Sequence, residues 1–222
     1  MPSPPTPTPA RRVRPARRCR SDHSPGHPLC RAGKLPAAQG RRLEAPVCIL
    51  TAPAAKALSV VQKAIAAKGL TLILFDCYRP ARAVADMGRW TRQGGPPDPQ
   101  WYPKVDRGDL ISEGYVGELS SHSRGSTVDL AVAELDETSA AHRACGATDP
   151  GTLDFGTGFD CFDPASETAH RHLPVQAAAN RTMLLSAMRA AGFRNYAREW
   201  WHFTLADEPF PKQRFDFPVT AD

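Results

Sequence analysis

The chain has 222 residues, which suits one domain with a buried core. Its hydrophobic fraction of 41% and charged fraction of 23% are those of an ordinary globular protein. No apolar run approaches the roughly 18 residues that span a bilayer, so we expect no membrane association.

The net charge of +5 suggests a nucleic-acid-binding protein, but the basic residues are concentrated at the N-terminus. Residues 1–42 contain ten Lys and Arg against one acid, whereas the remaining 18 basic residues are outnumbered by 22 acids. A basic tail binds phosphates without specificity. Because the rest of the chain is mildly acidic, we expect no nucleic-acid partner.

Residues 1–40 are rich in proline and arginine and have few side chains that can form a core. Such a segment cannot offset its ordering entropy by burial, so we predict a disordered tail followed by one domain over 41–222. No apolar stretch follows the basic N-terminal residues to form the core of a signal peptide. We therefore expect a cytoplasmic protein, with the periplasm as the alternative.

Six cysteines occur at irregular spacings and without a C-x-x-C pair, which argues against a zinc knuckle or a thioredoxin-type motif. In a cytosolic protein we expect most of them to be buried, reduced thiols. Cys145 and Cys161 flank a glycine-rich loop and can pair if the protein is exported.

Hydrophobic patterns and their flanking Pro and Gly residues predict the secondary structure. Pro53 suits the first turn of a helix, and Gly69 and Gly192 suit the positions just after helices. The predicted strands are 43–50, 70–77, 126–133 and 200–205. The predicted helices are 54–68, 81–91 and 176–190. Coil is predicted for 94–99, for 148–164 and for the stretch near 217. On the last helix the apolar face is predicted to contain Ala179, Met183, Leu184 and Met188. This order of elements predicts an α+β fold, with helices on one face of a small, mainly antiparallel sheet.

A first candidate site is the stretch SSHSRGSTVD at 120–129. A neutral imidazole and a carboxylate are standard zinc ligands, and a turn at Gly125 can lead from His122 into a strand that carries Asp129. Taken alone, this spacing is weak evidence, because a single histidine of this kind is more often a loop or capping residue.

A second candidate site is Glu199-Trp200-Trp201-His202. Catalytic zinc usually has three protein ligands and one open position, and a nearby carboxylate then accepts a proton from the metal-activated water. The alternative is that Glu199 pairs with Arg194 or Arg198 and that His202 fills the core beside the tryptophans.

A third candidate is Arg79, which follows a predicted buried strand and precedes Pro80. A guanidinium at such a corner can face a cleft and stabilise the oxyanion that forms when an amide becomes tetrahedral. The alternative is a structural arginine that pairs with Asp76.

Together, in this order, the three fragments resemble the VanX-type D-alanyl-D-alanine dipeptidases, which share a fold group with the D,D-carboxypeptidases and the hedgehog signalling domain. The resemblance covers residues 42–222 and implies a hedgehog/D,D-peptidase-like fold. The matching stretches are FDCYRPARAV (75–84), ISEGYV (111–116), SSHSRGSTVDL (120–130), GFDCFDPASETAH (158–170), REWWHF (198–203), DEPFP (207–211) and FDFPV (215–219).

The resemblance implies a metallopeptidase with one zinc ion per chain that hydrolyses D-alanyl-D-alanine to two molecules of D-alanine. His122, Asp129 and His202 are the implied zinc ligands. Glu199 is implied as the general base and Arg79 as the group that stabilises the tetrahedral intermediate. By the same resemblance, Ser120 and Asp160 contact the substrate, Asp160 as the partner of its free ammonium.

Other functions remain open at this point. A relative of this family can act as a D,D-carboxypeptidase on cell-wall peptides, and a hedgehog-like relative can be a non-catalytic zinc-binding module. The ligand set also accepts Co²⁺ or Ni²⁺. A nucleic-acid binder that uses the basic tail is the third alternative, and the sequence predicts no particular oligomeric state.

Overall fold

The computed structural model of the chain describes residues 48–135, 145–147 and 151–219. The helices are α1 (Ala52–Ala66), α2 (Ala81–Arg92) and α3 (Val175–Ala190), and the strands are β1 (Leu70–Asp76), β2 (Thr127–Glu134), β3 (Phe193–Asn195) and β4 (His202–Leu205). Short 3-10 turns lie at Arg107–Asp109, Ser121–Arg124 and Pro164–Ser166. The predicted disordered tail, 1–40, lies outside the described residues.

The strands form one sheet in the order β1-β2-β4-β3, and every neighbouring pair is antiparallel. This confirms the α+β fold with an antiparallel sheet. The register aligns three polar residues across the sheet, since Asp129 on β2 pairs with Asp76 on one side and with His202 on the other. Side chains of directly opposite residues in antiparallel strands lie close together. The strand register therefore places these three polar side chains next to one another.

The helices begin and end close to the predicted positions. Pro53 lies in the first turn of α1, and Gly69 follows the end of that helix with a φ of 73°. Gly192 follows α3 with a φ of 87°, a conformation that glycine adopts without strain. Helix α1 packs against β1, α3 packs against β3, and the two helices contact one another.

The predicted first strand is wrong in its described part. Of residues 48–50, only Ile49 has a strand-like bridge, and 43–47 lie outside the described residues. The apolar run reflects burial instead, because Leu50 is buried and Ile49 packs with Tyr78 and Val219. Strand β3 was not predicted, since three residues are too few to show an alternating pattern.

The buried face of α3 also differs from the predicted one. Ala179 is exposed and Met183 is half-buried, whereas Asn180 and Arg181 are buried beside Leu184 and Met188. A hydrophobicity pattern places polar residues on the outside, and it misses those whose polar atoms find partners inside the protein.

Two disulfides correct the expectation of reduced thiols. Cys48 bonds to Cys77, and Cys145 bonds to Cys161. Among the cysteines that the structure describes, none is free.

Within the described ranges, no helix has both the length and the apolar character needed to cross a membrane.

Candidate metal centre

A short turn delivers His122 to the sheet. Ser120 caps the 3-10 turn Ser121–Arg124 by accepting a hydrogen bond from the main-chain nitrogen of His122. Gly125 then ends the turn with a φ of 76°, and β2 begins two residues later. This geometry, predicted from the glycine, places the His122 side chain and the outgoing Asp129 in the same pocket.

The side chains of His122, Asp129 and His202 meet. Each offers one ligand atom, and these atoms all lie within 4.8 Å of one another. Nε2 of His122 is 3.1 Å from Oδ2 of Asp129, and Nδ1 of His202 is 3.0 Å from Oδ1. A tetrahedral ion with bonds of about 2.0 Å separates its ligand atoms by about 3.3 Å, so the spacing fits a zinc-sized cation.

The unbonded polar atoms point to the same conclusion. Among the described residues, Nε2 of His122 and Oδ1 of Asp129 are buried and make no well-formed hydrogen bond. Buried polar atoms without a partner carry a large desolvation penalty, which a bound cation would remove. The residues present therefore fit a divalent metal.

The second nitrogen of each imidazole has a partner of its own. Nδ1 of His122 lies 2.6 Å from the carbonyl oxygen of Cys77. Since a carbonyl only accepts, Nδ1 carries the proton, and the neutral ring keeps its Nε2 lone pair for a metal. Nε2 of His202 lies 3.2 Å from Oγ of Ser121. When Nδ1 of His202 is the ligand atom, Nε2 carries the proton and donates a hydrogen bond to this hydroxyl oxygen.

The electrostatics of the three ligands are coupled. Burial alone would raise the pKa of Asp129, but His122 and His202 hold it well below its ordinary value. Burial acts to lower the pKa of His122, yet the Asp129 carboxylate raises it overall. Burial lowers the pKa of His202 despite the same carboxylate. The site therefore keeps an ionised carboxylate between two imidazoles.

Glu199 is buried beside this cluster, with Oε2 3.4 Å from Nδ1 of His202. A tight turn holds it there, in which its main-chain nitrogen bonds the Tyr196 carbonyl and its own carbonyl accepts from Asn195. Burial raises the pKa of Glu199 well above its ordinary value, and the carboxylates of Asp129 and Asp160 raise it further.

The alternative partners proposed for Glu199 are not used. Among the described residues, neither Arg194 nor Arg198 forms an ion pair with it, and Arg198 lies over the ring of Tyr115.

Arg79 both pairs with Asp76 and faces the metal cluster. Its Nε and Nη2 donate to Oδ2 of Asp76 at 2.9 and 2.5 Å, and Nη2 is 4.0 Å from Oδ2 of Asp129. Although burial acts to lower the pKa of Arg79, these two carboxylates raise it overall. The structural pairing expected as the alternative is thus present, and it orients the guanidinium toward the site.

A cavity of about 370 Å³ opens beside the cluster. Ser120, Asp160, Glu199 and Arg79 line it together with the ligand residues. Apolar side chains also line it, among them Val84, Met87, Tyr115, Val116 and Phe162. Every site residue predicted from the sequence therefore lies at this one cavity.

Two features of the site were not predicted. The carbonyl of Cys77 leaves no signature in a sequence, because every residue has one. Ser121 could have been found, since it stands between Ser120 and His122, but only the fold shows that its hydroxyl reaches His202 from 81 positions away.

Comparison with known proteins agrees with a metal-dependent peptidase site. A sequence model of the peptidase family described as D-ala-D-ala dipeptidase matches residues 37–220. The chain is 40% identical to a D-alanyl-D-alanine dipeptidase of Enterococcus faecium over 167 residues, which are 74% of this chain and 77% of that protein. It is 42% identical to one of Streptomyces coelicolor over 153 residues, covering 68% of this chain and 70% of the relative. A third relative of the same name, from Enterococcus faecalis, is 38% identical over 174 residues, with 77% and 79% covered. The chain belongs to the D-alanyl-D-alanine dipeptidase family of metallopeptidases.

Proposed function

We propose that this chain is a zinc-dependent dipeptidase that hydrolyses D-alanyl-D-alanine to two molecules of D-alanine. The observation that carries the proposal is the meeting of His122, Asp129 and His202, with Glu199 beside them, in a chain whose relatives are named for this activity.

In this proposal Nε2 of His122, a carboxylate oxygen of Asp129 and Nδ1 of His202 hold one zinc ion per chain. When bound, zinc supplies Lewis-acid polarisation of a carbonyl and lowers the pKa of a water molecule. The hydrogen bonds of His122 to the Cys77 carbonyl and of His202 to Ser121 fix both rings in the tautomers that a metal requires.

Glu199 is the general base. Its carboxylate lies at the edge of the ligand cluster, where it can accept a proton from the attacking water and later deliver it to the leaving amine. The raised pKa of Glu199 makes it a stronger base than an exposed glutamate, as this role requires.

Arg79 stabilises the negative charge that develops on the carbonyl oxygen of the scissile amide. Its guanidinium lines the cavity and is held by Asp76 in one orientation, so little reorganisation accompanies the reaction.

Asp160 and Ser120 bind the substrate. Asp160 lines the cavity and supplies a carboxylate for the free ammonium of a dipeptide, and Ser120 supplies a hydroxyl. The cavity is at the small end of the range of ligand sites, which favours a dipeptide over a longer peptide.

The experiment combines metal replacement with substrate comparison. The purified chain is stripped with a chelator, and zinc is returned in known amounts during a D-alanyl-D-alanine hydrolysis assay. We expect activity to rise until one zinc is bound per chain, and no cleavage of the N-acetylated dipeptide, because its blocked amine cannot pair with Asp160.

Either of two outcomes would contradict the proposal and indicate a different function. Efficient cleavage of an N-acylated tripeptide that ends in D-alanyl-D-alanine indicates a D,D-carboxypeptidase. A chain that binds one zinc tightly and cleaves neither substrate is a non-catalytic zinc-binding module.

We further propose that residues 41–222 form a single domain. We also propose that this domain functions outside the cytoplasm. The sequence led us to expect the cytoplasm, but the bonds Cys48–Cys77 and Cys145–Cys161 favour an oxidising compartment such as the periplasm. Immunodetection in separated cell fractions tests the location. Recovery of the protein only in the cytoplasmic fraction, with these cysteines open to thiol labelling, would return us to the first expectation.

A further inference from the structure

Arg181 on α3 is a buried cation whose hydrogen bonds go to main-chain carbonyls. Only 2% of the residue is exposed. Its Nε donates to the carbonyl of Phe155 at 2.8 Å, Nη1 to that of Glu167 at 2.5 Å and Nη2 to that of Ala165 at 2.8 Å. One planar guanidinium is therefore bonded through all three of its nitrogens.

Burial of this charge is unfavourable in itself. Burial lowers the pKa of Arg181 to about 10, and only the charge of Asp154 opposes the shift. The group is still protonated at neutral pH. The protein therefore keeps a buried charge at a position where a leucine or methionine would introduce none.

The carbonyls that Arg181 binds stand at the two ends of one segment. We call residues 155–167 the Asp160 loop, since Phe155 opens it, Ala165 and Glu167 close it, and Asp160 lies near its middle. The guanidinium thus ties the beginning of the loop to its end, over a separation of 10 to 12 positions.

Further bonds tie the closing end of the loop to its interior and to the β3–β4 connection. Oγ of Ser166 donates to the carbonyl of Cys161 and contacts Oγ1 of Thr157, which accepts from Nε1 of Trp200. The ring of Phe155 stacks on Trp200. Because Trp200 directly follows Glu199, the contacts of Trp200 connect the Asp160 loop to the segment that holds the proposed base.

Asp160 needs such support. It has a φ of 59° and is the one residue other than glycine with a positive φ in the described part of the chain. Asp tolerates this left-handed conformation better than most residues, but it persists only when its surroundings determine it. Its carboxylate lines the cavity, and its charge acts on both Arg79 and Glu199.

We propose that Arg181 is a positioning residue for substrate binding, because by closing the ends of the Asp160 loop it holds the Asp160 carboxylate where the substrate's ammonium binds. The inference rests on the proposed function, in which Asp160 is the partner of that ammonium. Arg181 does not touch the substrate, and it acts through Asp160.

The test is a double-mutant cycle. Arg181→Met and Arg181→Lys are made alone and combined with Asp160→Asn, and Arg189→Met, an exposed arginine on the same helix, is the matched control. We expect Arg181→Met to raise the KM for D-alanyl-D-alanine about tenfold or more, since small misplacements of a positioning group have large effects. We expect Arg181→Lys to raise it less, and Arg189→Met not to change it.

In the Asp160→Asn background the same Arg181 substitutions should change kcat/KM less than twofold, because the group through which they act is gone. Equal losses in both backgrounds, or a fall in kcat with KM unchanged, would show that Arg181 maintains the fold alone and would overturn the inference. If Arg181→Met does not fold, the lysine variant, which keeps the charge and the aliphatic stem, decides by the same criteria.

The cycle also separates this inference from the proposed function. If Asp160→Asn alone leaves the KM unchanged, the assignment of Asp160 to the ammonium is wrong. If Asp160→Asn raises the KM and the Arg181 substitutions do not, only the inference about Arg181 fails.

Discussion

Oγ of Ser121 lies 3.2 Å from Nε2 of His202, the ring nitrogen that does not face Asp129. Such a partner orients a metal-binding imidazole and sets its tautomer. We predict that Ser121→Ala weakens zinc binding by about tenfold or more, as loss of an outer partner of a ligand typically does.

A competition titration of the metal-free protein against a chromophoric chelator measures this effect. Ser59→Ala, a change at an exposed serine on α1, is the control. Equal zinc affinity in wild type and Ser121→Ala would mean that the fold alone orients His202.

Glu199→Gln removes the proposed base and keeps the shape of the side chain. We predict that kcat falls by about 10² to 10⁴, the usual contribution of general acid-base catalysis, while one zinc per chain remains bound. Steady-state assays with metal analysis on the same samples check both parts. Glu134→Gln, an exposed change at the end of β2, should keep full activity. Retention of kcat in Glu199→Gln would assign the base to another group.

Arg79→Lys keeps the charge but loses the planar fork that binds Asp76. We predict a fall in kcat of about 10² or more, as for loss of an oxyanion donor, with a smaller change in KM. The matched control is Arg82→Lys, which alters an arginine paired with Asp216 near the surface. A rise in KM alone would indicate that Arg79 binds the ground state and the transition state equally and does not stabilise the developing charge selectively.

Zinc affinity should decrease as the pH falls, because only neutral imidazoles bind metal. In the metal-free protein the pKa of His122 is raised and that of His202 is lowered, whereas Asp129 stays ionised far into the acid range. His122 therefore takes up its proton first as the pH falls, starting above the ordinary histidine value of about 6.5.

We expect affinity to drop about tenfold per pH unit once His122 is protonated, and more steeply at lower pH when His202 also takes a proton. Chelator competition at a series of pH values measures the slope. A flat profile between pH 5 and 8 would exclude histidine ligands.

The disulfide between Cys48 and Cys77 joins positions 29 residues apart and lies at the edge of the site. Replacement of both cysteines by alanine should lower the free energy of unfolding by about 3 kcal/mol, since the cross-link restricts the unfolded chain. Denaturant unfolding of the oxidised wild type and the double variant measures the difference. Reduction of the wild type also opens the Cys145–Cys161 bond and should therefore cause at least as large a loss. An unchanged midpoint in the variant would mean that the Cys48–Cys77 bond contributes no stability.

Much of the site was predictable because the residue type shows which side chains can bind a metal, and because the order of the three fragments resembles one family. His122, Asp129, His202 and Glu199 occur in short motifs whose turn and strand signals, above all Gly125, are local. The long elements were predictable for a similar reason, since helix and strand periods extend over enough residues to be read.

Only the tertiary structure decided which polar atoms have partners. Ser121 meets His202, and the Cys77 carbonyl meets His122, across separations of 81 and 45 positions. Arg181 is not part of the predicted apolar face of α3, yet it is buried, because the carbonyls that offset its burial come from a loop elsewhere in the chain. A residue type is a local property, whereas hydrogen-bond satisfaction depends on what the fold brings within about 3 Å.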